Sequence, residues 1–367
     1  MSRRIPSQMR ARLALQAVLV LAAAVLAFVD VPASVVERWF STGMYPLIQR
    51  VITPASNFTP FAWLDLIAVG GGAALLFAII RTVRRAWVGR TWRPLLDGTR
   101  RLLVVAAAGY VVFLLLWGLN YRRVAMADRL VLDRPAPSVA AVIELGIEAV
   151  MQMNALHEDA HRVGWREEPW NDATLRQAFA ASQQLLADAP AAAPGRLKDT
   201  VFGPYFRWAS VDGMVNPFGL EVLANPDLLP FERPFVLAHE WAHLAGYAHE
   251  AEANFVGWIT CMRGDVAAQY SAWIFLYWQV ISELGNDGRV RVNEMLADGP
   301  RRDLNAIVER LRRGQLPAVR RAGWAVYDQY LKANRVEEGV RSYGEVLTLL
   351  LRARFTDGWS PVRRDIF

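Results

Sequence analysis

The chain has 367 residues, 54% of them hydrophobic and 21% charged, and a formal net charge of +6. This composition excludes disorder as the main state, and the single cysteine, Cys261, excludes a disulfide framework or a Cys-rich zinc module. The positive balance does not describe a nucleic-acid-binding face, because Lys198 and Lys332 are the only lysines and many of the arginines flank apolar segments.

Three apolar segments come first. Residues 13–29 carry no charge and follow Arg3, Arg4, Arg10 and Arg12. Residues 61–80 are apolar except for Asp65, and residues 102–121 are uncharged throughout. Each approaches the roughly 20 residues that a bilayer-spanning helix needs, so the spacing predicts three spans. The alternatives are a cleaved signal peptide for the first and a buried core helix for the second. Gly70-Gly71-Gly72 in the second would be weak in water but is tolerated between membrane helices.

Orientation follows from arginine. The loop after the second segment holds Arg81, Arg84, Arg85, Arg90, Arg93, Arg100 and Arg101, whereas the loop before it holds only Arg38 and Arg50. The amino terminus and the Arg-rich loop are therefore expected inside, and everything after Tyr121 outside the cytoplasm. Between the first two segments, residues 31–60 place Val35, Val36, Trp39 and Phe40 at helical spacing. They read as an interfacial or domain-packing element, or as a plain connecting loop.

From residue 124 onward the pattern is mostly helical. Ser138 can cap a helix, as can Asn171 or Asp172. Residues 191–195 read as a loop. Turn signals crowd residues 201–230, with short strands between them, for example 220–224. Residues 266–284 are apolar enough for a fourth span, but Gln269, Ser271 and Gln279, with Asp265 and Glu283 nearby, favour a helix buried in the domain.

One motif occurs twice. His157-Glu158-Asp159-Ala160-His161 and His239-Glu240-Trp241-Ala242-His243 both fit HExxH. Histidines four apart share a helix face and can reach one ion, with the glutamate beside a metal-bound water as general base. The second copy has only uncharged flanks, which predicts a buried, shielded site. The first contains Asp159 and is followed by Arg162, which predicts a solvated face with His157 and His161 as ordinary surface residues.

A catalytic zinc takes three protein ligands and leaves one position for water. His249, Glu250 and Glu252 are the candidates for the third. HEWAHLAGYAH fits the metzincin pattern, with His249 as ligand. Alternatively Gly246 stops the helix and a new one starts near His249, which turns Glu250 and Asn254 toward the two histidines. Asn254 would then support a ligand from behind. Glu252 falls about 200° round from Glu250 on such a helix. Glu250 is the preferred reading, and the other two stay open.

NPFGLEVLANPDLLPFERPFVLAHEWAHLAGYAHEAEANFVGWITC, with WGLNYRR at 117–123 and YLKANRVEEGVRSYG at 330–344, resembles the bacterial membrane proteins grouped as domain of unknown function 3810. The block Glu250, Glu252, Ala253, Asn254, Phe255 is similar to the E-x-x-A-[DN] block of gluzincin-type peptidases, whose glutamate binds zinc. The resemblance implies a zincin site on His239, His243 and Glu250. It does not require histidine at 249 and does not specify a substrate.

The expected fold is mainly α: a membrane domain (1–123, spans near 13–29, 61–80 and 102–121), then a mostly helical zincin-like domain (124–367) with a few short strands. The expected function is that of a zinc metallopeptidase of the bacterial cytoplasmic membrane, facing outward, with Glu240 as base. Its partners would be the lipid bilayer and a peptide or protein substrate of the cell envelope, and no nucleic acid. The strands around 220–224 are expected to align an extended peptide by strand addition. Tyr247 is a weak candidate for stabilising an oxyanion. The rival function is a non-enzymatic scaffold or sensor with a structural zinc. Proteolysis within the membrane is disfavoured because the motif lies in no convincing span.

Overall fold

Long helices with apolar surfaces build the first third of the chain. A computed structural model describes residues 7–133, 135–187, 189–336 and 345–364. Arg3 and Arg4, and residues 337–344 of the run 330–344, lie outside the described residues. Helix α1 (Ser7–Phe28) and helix α4 (Trp63–Gly89) both pack on α5 (Arg93–Leu116). None of the residues of α4 is buried, and Leu66, Val69, Phe77 and Ile80 are bare. Such surfaces are compatible with a lipid surround.

Between α1 and α4 the chain is helical rather than a plain loop. The short α2 (Ala33–Val35) runs into a nine-residue π-helical stretch, Val36–Met44, and then α3 (Tyr45–Asn57). This segment packs on the second half of the chain. Gln49 exchanges hydrogen bonds with the backbone of Ala193 at 2.7 and 2.8 Å, and the Thr53 hydroxyl donates to the Leu220 carbonyl at 2.7 Å.

After the small α6 (Met126–Arg129) comes α7 (Val139–Val163), capped by Ser138, whose hydroxyl accepts from Ala141 N. Asp172 caps α8 (Ala173–Leu186) by accepting from the amides of Thr174 and Leu175. Strand β1 (Leu197–Lys198), α9 (Gly203–Ala209), β2 (Gly213–Asn216) and β3 (Glu221–Ala224) follow. Then come α10 (Arg233–Leu244), α11 (Glu250–Met262), α12 (Val266–Glu283), α13 (Asn286–Glu294), α14 (Asp298–Gly314), α15 (Pro317–Ala333) and α16 (Glu345–Arg352). Strands β4 (Phe355–Thr356) and β5 (Ser360–Pro361) form a small ribbon.

Among the described residues four helices, not three, are long and apolar enough to cross a membrane; α7 joins α1, α4 and α5. Its composition follows from one packed face. Ile143, Gly146, Ala149, Val150, Met153 and Ala160 are buried, and α7 makes its main contact with α12. Helix α12 covers the apolar stretch 266–284 and is itself buried along Tyr270, Ala272, Trp273 and Leu276, inside the protein.

The three-stranded sheet has the order β1-β3-β2, with β1 parallel and β2 antiparallel to β3. Strand β3 is central, so the stretch expected to receive an added strand has both edges occupied. Among the described residues the outer edge of β2 is free of strand partners. One apolar core is continuous across residue 123: Phe40, Tyr45, Phe113 and Trp117 belong to the same cluster as Trp241, Tyr247 and Phe255.

Candidate metal centre

The centre is a helix–turn–helix built from α10 and α11. Helix α10 opens with Pro234 in its first turn, where a missing N–H does no harm. It ends at Leu244, and Gly246 takes φ +85°, a left-handed backbone that stops the helix. His249 flanks the start of α11, and every residue from Glu250 to Cys261 is buried. The two helices come very close at Gly257, where a Cβ would lie 3.0 Å from His239 N and 3.1 Å from its Cα. A side chain at 257 would push the helices apart at the first histidine.

The end of α10 and its turn leave carbonyls without helical partners. Residues of the first third of the chain satisfy them. Tyr45 Oη donates to the Leu244 carbonyl (2.8 Å), Trp117 Nε1 to that of His243 (3.0 Å) and Arg123 Nη1 to that of Gly246 (3.0 Å). Tyr247 is buried, with the guanidinium of Arg123 4.7 Å and that of Arg129 5.4 Å from its ring centre, so it serves packing.

His239, His243 and Glu250 converge, with ligand atoms all within 4.8 Å of one another. Glu250 Oε2 lies 3.4 Å from His239 Nε2 and 3.7 Å from His243 Nε2. These separations are long for hydrogen bonds. They suit a tetrahedral ion with arms of about 2.0–2.1 Å, whose ligand atoms stand about 3.3 Å apart. The His243 tautomer is set from behind. Its Nδ1 is 2.8 Å from the Tyr247 carbonyl, which can only accept, so Nδ1 carries the proton, and Nε2 presents its lone pair on the Glu250 side once it is deprotonated. Burial works against charge on His243, yet the adjacent Glu250 holds it up to about 9. Burial likewise disfavours the Glu250 carboxylate, but the two imidazoles hold it well below the usual range. Two imidazoles and a carboxylate are a donor set that fits Zn²⁺.

Glu240 is 3% exposed. Burial raises its carboxyl to about 6, against the pull of His239 and His243 and with the help of Glu250 and Asp212. Its Oε2 is buried without a hydrogen-bond partner among the described residues, which leaves an acceptor for a water beside the ligands. Gly213 of β2 lies directly on it; a Cβ there would sit 2.9 Å from Glu240 Cδ.

The other candidates point elsewhere. His249 Nε2 is 3.3 Å from the Tyr121 carbonyl and its ring packs edge-on to Tyr121. Glu252 Oε1 accepts from Met126 N at 2.6 Å. Asn254 is buried, and its Nδ2 has no hydrogen-bond partner among the described residues, so the support expected from it does not come through that atom. Support comes instead from Tyr327 of α15, whose hydroxyl donates to Glu250 Oε1. Tyr327 and Tyr330 share a helix face in the sequence, but nothing in the spacing says which face meets Glu250. The first HExxH copy differs from expectation too: His157 and His161 are not isolated surface residues, because Asp303 of α14 joins them in a second convergent group.

No curated protein and no solved structure matches the chain. The family model described as "Protein of unknown function (DUF3810)" matches residues 40–351, which span the apolar helices α4 and α5 and the α10–α11 centre, and the chain belongs to that family.

Proposed function

We propose that the chain is a membrane-anchored, zinc-dependent metallopeptidase that hydrolyses peptide bonds in extracytoplasmic protein or peptide substrates. The observation that carries this reading is the convergence of His239, His243 and Glu250 on one point, with Glu240 buried on the same helix. When bound, the zinc ion supplies an acidified water and a Lewis acid for the scissile carbonyl. His239, His243 and Glu250 hold it. Tyr327 fixes the second oxygen of Glu250, and the Tyr247 carbonyl fixes the His243 ring. Glu240 takes the proton of the attacking water and passes it to the leaving amine. An extended substrate pairing with the free edge of β2 would run beside Gly213, against the Glu240 carboxylate.

A purely structural zinc needs a fourth protein ligand. His249 and Glu252, the nearest in sequence, are engaged with Tyr121 and Met126. That favours the catalytic reading over the scaffold. The deciding experiment is digestion of a peptide library by the purified full-length chain, with Zn²⁺ and after chelation. Zinc-dependent products absent from a Glu240→Gln control support the reading, and an identical product set overturns it.

The ligand assignment has its own test. Glu250→Ala is expected to weaken Zn²⁺ binding at least tenfold, and His249→Ala to change it less than twofold, in competition with a chelator of known affinity. The reverse order would move the third ligand to His249. For orientation, reporter fusions after Arg90 and after the carboxyl terminus are expected on opposite sides of the membrane. A cytoplasmic signal from the carboxyl terminus would remove the extracytoplasmic assignment.

A further inference from the structure

We propose that His157, His161 and Asp303 form a second metal site, which takes a divalent transition-metal ion of the zinc class and ties α7 to α14. The two histidines lie four apart on one face of α7, and Asp303 reaches them from α14. Asp303 Oδ2 is 3.5 Å from His157 Nε2 and 2.8 Å from His161 Nε2. The three ligand atoms fall within 4.8 Å of one another, as in the α10–α11 centre.

The surroundings are built for this convergence. Tyr270 of α12 donates its hydroxyl to Asp303 Oδ2 at 2.6 Å, which aims the carboxylate. Asn154, one turn before His157, clamps the start of α14. Its Nδ2 donates to the Met295 carbonyl (2.8 Å) and its Oδ1 accepts from Ala297 N (2.9 Å). Gly299 gives the His157 ring its place; a Cβ there would lie 2.6 Å from ring atoms Cε1 and Nδ1. Tyr270 packs edge-on to both rings of the pair and Trp165 edge-on to His161, and the two aromatic rings meet each other tilted. The His161 side chain is 39% exposed, so an ion has a path in.

The donor chemistry selects the ion. Imidazole nitrogens suit Zn²⁺, Cu²⁺ and Ni²⁺, whereas Ca²⁺ and Mg²⁺ want oxygen. Binding needs the His161–Asp303 contact to open by about 0.5 Å to reach the edge of a zinc tetrahedron, and an exposed imidazole can move that far. The competing description is a hydrogen-bonded His–Asp–Tyr staple that holds no ion. The site is independent of the peptidase reading, since it shares no ligand with it.

The test uses the full-length chain in detergent, equilibrated with buffered free Zn²⁺ and analysed for metal per chain. The His157→Ala/His161→Ala chain is expected to hold one ion fewer than the wild type. Gly299→Ala, which keeps every ligand residue but crowds the His157 ring out of position, is expected to weaken that ion at least tenfold. In a His239→Ala/His243→Ala background, Cu²⁺ is expected to give an electron paramagnetic spectrum split by two imidazole nitrogens. Equal metal content in wild type and His157→Ala/His161→Ala, with both folded by thermal melt, overturns the proposal. Should that double variant fail to fold, Zn²⁺ affinity unchanged by Gly299→Ala overturns it instead.

Discussion

Glu240→Gln is expected to keep bound zinc and to lose peptide hydrolysis by about 10²–10⁴-fold. The amide matches the carboxylate in size, so the surface it presents to Gly213 of β2 is unchanged. It also removes a charge that burial disfavours, as the raised pKa of about 6 records. Fold and ligands are therefore spared, and what disappears is the proton acceptor. The measurement is turnover of a substrate cleaved by the wild type, beside metal content and melting temperature. Unchanged turnover with zinc present would assign the base elsewhere. Loss of zinc together with activity would make Glu240 a structural support of the ligands.

Glu221→Ala is expected to cost about 3–5 kcal/mol of stability, the usual penalty for breaking one side of a buried ion pair. Glu221 is fully buried on β3 and serves five donors. Lys198 Nζ stands at 2.9 Å, Ser56 Oγ at 3.1 Å, Asn216 Nδ2 at 2.9 Å, and the amides of Trp63 and Leu64 at 3.0 and 2.8 Å. Those two amides open α4, so the carboxylate joins the sheet to the first turn of an apolar helix, where a negative charge is favoured. Removing it strands the Lys198 ammonium, itself fully buried, among carbonyls and hydroxyls. Lys198→Met should cost less, because the carboxylate keeps four donors. The double variant should recover part of the loss. Burial raises the Glu221 pKa, but the Trp63 amide, Asn216 and Lys198 bring it below the ordinary value. Its contribution is thus fully present above the unfolded-state value and fades as pH falls through the folded one. Denaturant unfolding in detergent measures both effects, and a loss under about 1 kcal/mol for Glu221→Ala would remove this network from the account of stability.

Local pattern made much of this legible. Gly246 between two runs of helix formers predicts the turn after His243, and with it the meeting of Glu250 with both histidines. Ser138 and Asp172 cap the helices their chemistry suggests. What stayed illegible is contact between distant segments. Periodicity tells which residues share a face but not what meets that face. Asp303 beside His157 and His161, Tyr327 on Glu250 and Gly213 under Glu240 are all of that kind. The same limit explains α7: a helix with one face against α12 is still long and apolar enough to pass for a span, although it is less apolar than α1, α4 and α5. It also explains β3, whose short apolar run could not show that neighbours occupy both its edges.

The turn after α10 hangs on Tyr45, Trp117 and Arg123, which all precede residue 124. The apolar helices are therefore more than a tether that could be exchanged for any other. They carry the segments that brace the turn beside the ligands: Tyr45 opens α3, and Trp117 and Arg123 follow the end of α5. Cutting them away, or grafting residues 124–367 onto a foreign anchor, takes the side-chain donors from the carbonyls of His243, Leu244 and Gly246; that of His243 keeps the Gly246 amide at 3.0 Å, and the other two cost about 1–3 kcal/mol each where they stay dry. A shift in how α5 sits is thus felt at His243 through a single indole N–H.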